Sequence, residues 1–355
     1  MKLLDRYLLR EMLPAFAGAA LTFIVLLVGH MLYVVVEVVV ERGVPLPSVM
    51  RFLALKVPAA AVMALPVSAL LGSALAYNRI ATDGELAPLR AAGASPWRLL
   101  LPAAILGLGA AAMVFLLNEH VAPRCEEASR RLLVESVSRQ RTLAFTPRRF
   151  LELSTTAFAY PDDVDSRTDR LVRVRLFLLR GEDPPVLVEA PEAVFVGGEL
   201  VAQRPRTYAP GWDGDLAWGT LSSLRVPLRP EALYLPGEAG SLRGQSLGEL
   251  YRTWRQSART PGQARRAALE IHARLAMSAA ALVFALFAAP LTLAVGRGRT
   301  LSGVALSLVV VFAYYLVMLW ARLLGERGLL PPSLAAWGEN LLLLALTAWL
   351  TSRSH

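Results

Sequence analysis

Residue types that enzymes use are present in this sequence, but not at the spacings that catalysis needs. No histidine pair has H-E-x-x-H or comparable metal-ligand spacing among His30, His120, His272 and His355. The sequence contains neither a G-x-x-x-x-G-K-[ST] phosphate loop nor a G-x-S-x-G nucleophile elbow. The glycine-rich string GRGRTLSG (296–303) does not match the phosphate-loop spacing and is typical of a turn. We therefore expect a protein that is not an enzyme, holds no cofactor or metal, and leaves any ATP hydrolysis to another chain.

Several polar residues lie inside apolar segments, where ionisable groups are costly and usually face protein or a water-filled cavity. His30, Tyr33 and Glu37 recur at intervals of three and four, so a helix places them on one face. We take them as candidates for lining a cavity, together with Tyr314 and Tyr315. Two alternatives remain open: Glu37 is simply solvated outside the bilayer, and His30 packs against other helices.

A third polar pair, Glu270 and Arg274, has the i,i+4 spacing of an ordinary helical ion pair, worth a few tenths of a kcal/mol. The pair precedes an apolar run. We also consider it as a junction that anchors a soluble region to the membrane.

The stretch TDGELAPLRAAGASPWRLL (82–100) lies between two long apolar runs but still has helical character. Thr82 and Glu85 have the spacing of a capping box. Pro88 is tolerated only in the first turn of a helix, so a helix here begins at Gly84 or Glu85. Gly93 is a natural C-terminal stop.

After Gly93, Ser95 is suited to cap a second helix with Pro96 at its first position. The elbow between the two helices is then only two residues long. We expect displacement of the small helix to tilt the helix that follows. The alternative is an idle interfacial loop helix.

The elements that carry these residues are apolar runs close to the roughly 20 residues that cross a bilayer. The chain of 355 residues is 55% hydrophobic and only 18% charged, and the apolar residues are concentrated in blocks. We predict six spanning helices, three at each end of the chain, within residues 16–36, 58–77, 99–117, 275–295, 304–324 and 334–350.

The first residues, MKLLDRYLLREMLPAF, predict a helix lying in the membrane plane before the first span. One face holds the apolar residues Leu3, Leu4, Tyr7, Leu8 and Met12, and the charged residues lie largely elsewhere: Lys2, Asp5, Arg6 and Arg10. Lys and Arg are more numerous in the short loops on the side of both termini and of residues 82–97, which places that side in the cytoplasm. The net charge of +9 is spread over both sides and does not indicate nucleic acid as a partner.

The middle of the chain is soluble in character. Alternation in RLVRVRLFLLR (170–180) and a Gly197-Gly198 turn predict strands and a hairpin, within a β-sandwich or open jelly-roll-like sheet. We expect the strand at 171–179 to leave an open edge. Ser246 and Glu249 predict a capping box for a later helix. The predicted parts are residues 1–118, with a small helix at 84–93; a β-jelly-roll-like domain with flanking helices at 119–274, outside the cytoplasm; and 275–355.

The sequence resembles the LptF/LptG (YjgP/YjgQ) permeases, the membrane subunits of the lipopolysaccharide-export ABC transporter. The resemblance covers nearly the whole chain. The strings that carry it are LLDRYLLREML, ELAPLRAAGAS, NEHVAP, LEIHARLAMSAAALVFALFAAPLTL and GLLPPSLAAWGENLLLL.

The resemblance implies that residues 85–93 form a coupling helix seated in a groove of a cytoplasmic ABC ATPase dimer. Glu85 and Arg90 would be its charged contacts, Leu86 and Leu89 its apolar anchors, and Gly93 its end. The resemblance also implies a second LptF/LptG-type permease, a substrate path between the first and fifth spans, and a periplasmic jelly-roll bridge protein. The cargo would be lipopolysaccharide or a related glycolipid, extracted from the inner (cytoplasmic) membrane.

Two alternatives to lipid export remain. In one, ATPase motion drives the outer domain and nothing is transported. In the other, the chain is a membrane-anchored scaffold with no ATPase.

Overall fold

The structure is a computed structural model that describes residues 3–42, 46–91, 95–138, 148, 150–154, 156–165, 170–180, 183–196, 199–210, 216–227, 242–256, 261–295 and 300–353. Its α-helices in chain order are α1 (Leu3–Arg42), α2 (Leu46–Thr82), α3 (Leu86–Ala91), α4 (Pro96–Leu116), α5 (Ala122–Ser138), α6 (Leu247–Gln256), α7 (Pro261–Val295), α8 (Thr300–Glu326) and α9 (Pro332–Arg353). One π-helical turn, Leu117–Val121, joins α4 to α5.

Within the described residues, six helical segments are long and apolar enough to cross a membrane. They are Leu4–Leu32, Leu46–Thr82, Trp97–Ser129, Gly262–Thr292, Ala305–Glu326 and Pro332–Arg353. Three precede the strands in the chain and three follow them. The predicted number of candidate spans is therefore confirmed.

The predicted interfacial helix at the N-terminus is not a separate element. Its residues are the first turns of α1, which runs without a break from Leu3 to Arg42 although it contains Pro14. Leu8 and Met12 are buried in a helical core with Tyr77, Ile80 and Leu100. Leu4, Leu8 and Met12 of the apolar face that we assigned to lipid therefore pack against protein, whereas Tyr7 is exposed.

The candidate spans are buried to very different extents. In α2 and α7, 78% and 72% of the most apolar window is buried, against 11% in both α1 and α8. The helices α4 and α7 approach closely at Gly107, where an added Cβ would lie 2.8 Å from Leu282 Cα and 2.9 Å from Ala285 Cβ. Only glycine fits such a contact, which brings two helix backbones together.

The chain divides into two compact units: residues 1–33, 53–126 and 242–355, and residues 34–52 and 127–241. The second unit contains an antiparallel sheet of β1 (Leu151–Ser154), β2 (Ala157–Asp165), β3 (Arg170–Arg180), β4 (Asp183–Val196), β5 (Glu199–Gln203), β6 (Arg206–Pro210), β7 (Leu216–Thr220) and β8 (Ser223–Pro227). One face of the sheet forms an apolar core that includes Leu153, Leu171, Val188 and Leu200.

The strand order is β1-β2-β3-β4-β5-β8, and β6 pairs with β4 and β7. Val196 pairs with Glu199, so the hairpin predicted at the two glycines is confirmed, although Gly197 and Gly198 lie outside the described residues. The predicted open edge at residues 171–179 is wrong, because β3 is paired with β2 on one side and β4 on the other. Leu171, Val174 and Leu176 are buried because β3 crosses the middle of the sheet.

The capping box predicted before α6 is confirmed. The Ser246 N–H donates to Glu249 Oε2 at 2.8 Å, and the Glu249 N–H donates to Ser246 Oγ at 3.3 Å. Two donors that the start of a helix leaves without partners are thereby satisfied by two residues three positions apart.

Candidate functional site: the α2–α3–α4 turn and its contacts with α1

Residues 83–95 connect two candidate spans through a small helix, and the end of α2 determines its position. Gly84 has φ +76°, and the Glu85 N–H donates to the Ile80 carbonyl at 3.1 Å. This is the Schellman arrangement, which ends a helix with a left-handed residue that favours glycine. Gly84 therefore stops α2 and does not begin the next helix.

The capping box predicted at Thr82 and Glu85 is wrong, because α2 includes Thr82. The Thr82 hydroxyl donates back to the Arg79 carbonyl at 3.1 Å and does not cap α3. Glu85 stands immediately before α3, and its carbonyl accepts the first helical hydrogen bond, from the Leu89 N–H at 3.3 Å. The predicted start at Gly84 or Glu85 is therefore one or two residues early.

The small helix α3 has six residues, Leu86–Ala91, and Pro88 lies in its first turn as expected. Leu89 is partly buried against the helical core. Leu86 and Arg90 lie in α3, but their side chains are outside the described part of the structure, as is all of Gly93.

The predicted cap of the next helix is present. Ser95 is extended (φ −68°, ψ 150°), its Oγ accepts from the Arg98 N–H at 3.2 Å, and Pro96 is the first residue of α4. The start of α4 is therefore set by its own sequence. The predicted elbow falls within residues 92–94, which lie outside the described residues.

The first turns of α1 contact all three parts of this connection. The Tyr7 hydroxyl donates to the Glu85 carboxylate at 3.2 and 3.4 Å. Arg79, in the last turn of α2, donates to the Glu11 carboxylate and lies 3.5 Å from Asp83. The contacts of Tyr7 and Glu11 therefore link α1 to the turn and to the end of α2, between residues 78 and 68 positions apart.

The strongest of these links joins α1 to α4. Arg98 donates to Asp5 through two parallel hydrogen bonds, Nη1 to Oδ1 at 2.8 Å and Nη2 to Oδ2 at 2.9 Å. Asp5 is only 1% exposed. A two-pronged arginine–carboxylate pair fixes direction as well as distance, because both groups are planar. Arg98, which makes this link, is three residues after Ser95, the residue that caps α4.

This link was not predicted from the sequence, because we placed Asp5 away from the apolar face of the first helix. Asp5 is three residues before Leu8 and seven before Met12, so it shares their buried stripe. An acidic residue on an apolar stripe indicates a buried partner, although nothing in the local sequence identifies Arg98 as that partner.

The cavity candidates lie in two different places. His30 is exposed on α1, while Tyr33 and Glu37 are in α1 with side chains outside the described part of the structure. Tyr314 is buried against Phe284, with ring centroids 4.7 Å apart. Tyr315 in α8 donates to the Met63 carbonyl of α2 at 2.9 Å.

The Glu270–Arg274 pair belongs to a larger network. Arg322 of α8 lies 2.8 Å from Glu270, closer than Arg274 at 3.4 Å. Arg274 donates to the carbonyls of Leu242 (at 3.1 Å) and Gln245, just before α6. The network therefore links α7, α8 and the segment that enters α6, which is more than an isolated helical pair provides.

Comparison of the sequence with models of known protein families identifies the family of this chain. The model of the family "Lipopolysaccharide export system permease LptF/LptG" matches residues 6–353. The chain belongs to this family. A search of curated proteins found no match.

This LptF/LptG-family chain is a multi-pass inner-membrane permease of lipopolysaccharide export and a transporter subunit, not itself an enzyme. Membership implies association with other components of that export system. Within the described residues, no cluster of three or more His, Cys, Asp or Glu could hold a metal ion.

Proposed function

We propose that the chain is one permease subunit of an ATP-driven exporter that extracts lipopolysaccharide or a related glycolipid from the inner membrane. A cytoplasmic ABC ATPase dimer would supply the energy, and a second LptF/LptG-type permease would complete the transmembrane part. A periplasmic β-jelly-roll bridge protein would receive the lipid, passed on through the jelly-roll-like sheet. The observation that carries the proposal is the polar linkage of the α3 connection to α1, α2 and α4.

The mechanism follows from this linkage. Closure of the ATPase dimer moves α3, seated in its groove through Leu86, Leu89, Arg90 and Glu85. Because the Ser95 cap defines the start of α4, the displacement reaches α4 directly. Glu11, through Arg79, and Asp5, through Arg98, carry the same displacement to α1. Motion of packed helices past one another is a common way to open or close a cavity.

The low burial of α1 and α8 supports a shared substrate cavity. In the family these first and fifth spans border the substrate path, and here 11% of each window is buried within the chain. Apolar helices this exposed are available to lipid or to a second subunit. His30 and Tyr315 are the described side chains that we assign to this cavity, and Tyr314 supports it from the core. Tyr33 and Glu37 stay predictions from the sequence, because their side chains lie outside the described part of the structure.

The test is Glu85→Arg in the assembled complex. We expect loss of lipid-coupled ATPase activity, because the substitution reverses the charge that meets the ATPase, while the amount of permease in the membrane stays unchanged. Wild-type turnover by this variant contradicts the coupling role.

A matched control separates two roles of Glu85. Tyr7→Phe removes the hydroxyl that donates to Glu85 but leaves the carboxylate for the partner. We expect Tyr7→Phe to retain coupled activity within about twofold, because an exposed hydrogen bond contributes little. If Tyr7→Phe loses as much activity as Glu85→Arg, Glu85 acts within the chain and not on the ATPase.

A further inference from the structure

A cavity of about 160 Å³ lies among α7, α8 and α9, apart from the α3 connection. Its lining is apolar except at Tyr314 and Glu339. Val317, Leu342 and Leu346 line it and are exposed, at 45%, 63% and 37%, so the cavity is reached from the outer surface of these helices. In a bilayer, that surface faces hydrocarbon or a second protein.

Glu339 is 4% exposed, and its Oε2 atom is buried with no hydrogen-bond partner among the described residues. No described lysine, arginine or histidine lies within ion-pair distance of it. A buried carboxylate without a cation or a donor is costly, and such a group inside a span is usually functional.

The polar neighbours of Glu339 are already engaged with each other. The Tyr314 hydroxyl donates to Asn340 Oδ1 at 3.0 Å, and Asn340 Nδ2 donates to the Ala276 carbonyl of α7 at 2.8 Å. The Tyr314 hydroxyl in the cavity wall and the Asn340 amide, next to Glu339 in the sequence, thus donate elsewhere. These contacts therefore leave Glu339 Oε2 without a donor.

We propose that this cavity binds the ammonium group of a membrane-dissolved amphiphile, with Glu339 as its counter-ion and the apolar wall around its first carbons. Charge complementarity selects the ligand, because a cation meets the carboxylate and a hydrocarbon meets the remaining surface. The volume limits its size: an engineered apolar cavity of about 150 Å³ holds benzene. The inference does not depend on the proposed coupling to an ATPase.

The experiment uses the full chain purified in dodecylmaltoside micelles and a terminally fluorinated hexylammonium ion, followed by ligand-observed fluorine NMR. We expect saturable broadening with the wild-type protein and at least about tenfold weaker binding to Glu339→Gln, since a charge-assisted hydrogen bond is lost. Glu326→Gln is the matched control, because Glu326 is an exposed carboxylate on α8 outside the cavity lining. It should bind the ammonium ion as the wild type does.

Two further measurements make the outcome decisive. Ala313→Phe fills the cavity and should abolish binding even though Glu339 is intact. The corresponding fluorinated hexanol should bind wild type and Glu339→Gln within about twofold of each other. Equal binding of the ammonium ion to wild type and Glu339→Gln overturns the proposal. Unchanged binding to Ala313→Phe places the ligand elsewhere and overturns it too. If the fluorinated hexanol binds the wild type as tightly as the ammonium ion does, the cavity recognises a neutral donor and the proposal is overturned.

Discussion

At the scale of single residues, Glu270 is the acidic centre of a network with two cations. Its side chain is 11% exposed, that of Arg274 7%, and that of Arg322 35%. Replacing Glu270 by a neutral residue leaves the guanidinium groups of Arg274 and Arg322 close together in a mostly buried environment without this carboxylate. Breaking a buried ion pair from one side costs far more than the pair contributes when intact.

We therefore predict that Glu270→Gln lowers the free energy of unfolding by about 3–5 kcal/mol. Unfolding of the purified chain by added dodecyl sulfate measures the change. Glu326→Gln is the control, because it removes only the partly exposed carboxylate 3.3 Å from Arg322. That control should cost no more than about 1 kcal/mol. Equal losses for the two variants contradict a central role of Glu270.

The contacts of Glu270 show which interactions can be predicted from sequence spacing and which cannot. The i,i+4 contact between Glu270 and Arg274 was predictable, because helix geometry alone brings such residues together. Arg322 was not, because it is 52 positions away and only helix packing places it there. The energetic importance of Glu270 depends on this unpredictable partner.

At the scale of elements, the two-pronged link from Asp5 to Arg98 holds the first turns of α1 against the start of α4. We predict that Asp5→Asn raises amide hydrogen exchange of residues 3–12 by about tenfold or more, since that segment loses its charged attachment. Mass-spectrometric exchange on the purified protein measures this. Asp83→Asn, which removes an exposed acid 3.5 Å from Arg79, is the control and should leave exchange unchanged. Equal effects of both variants contradict the special role of Asp5.

The contact between α4 and α7 is a second element-scale feature, because Gly107 meets the α7 backbone at Leu282. We predict that Gly107→Ala lowers the free energy of unfolding by about 1–3 kcal/mol, since the added methyl group forces the helices apart. Gly109→Ala is a matched control two residues away, where nothing lies within 4 Å. The control should be neutral or stabilising by up to about 1 kcal/mol. A stabilising Gly107→Ala contradicts the close approach.

Helix ends show why some local predictions succeeded and one failed. The caps at Ser95 and Ser246 were predictable because all their partners lie within three residues. Thr82 and Glu85 have the same spacing, yet they lie on either side of a helix end. The deciding residue is Gly84, whose positive φ ends α2 between them. A glycine inside a capping-box pattern is therefore a reason to expect a stop instead of a start.

At the scale of the whole molecule, the proposed topology places α3 in the cytoplasm and α6 in the periplasm. Cys125 is the only cysteine, so a Cys125→Ser background allows single-site labelling. We predict that a membrane-impermeant maleimide labels Arg252→Cys in spheroplasts, and labels Asp83→Cys only in inverted vesicles. Both positions are exposed in the structure. The reverse pattern contradicts the proposed orientation.

The number of candidate spans was predictable at this scale because each is a continuous apolar run of sufficient length. The order of the strands was not, because it depends on long-range pairing. β4 has 14 residues and pairs with β5 through one part and with β6 through another. Alternation predicted which residues form strands, but it cannot reveal which strands are neighbours.

The length of α3 has a consequence for chemical intervention. An isolated helix shorter than about 12–15 residues is marginal in water, and α3 has six residues. Its order therefore comes from the ends of α2 and α4 and from α1. A linear peptide copying residues 83–98 should be mostly unfolded and should compete weakly for the proposed groove on an ATPase. A cyclised copy, with its ends held as Gly84 and Ser95 hold them, avoids much of that ordering cost and should compete better.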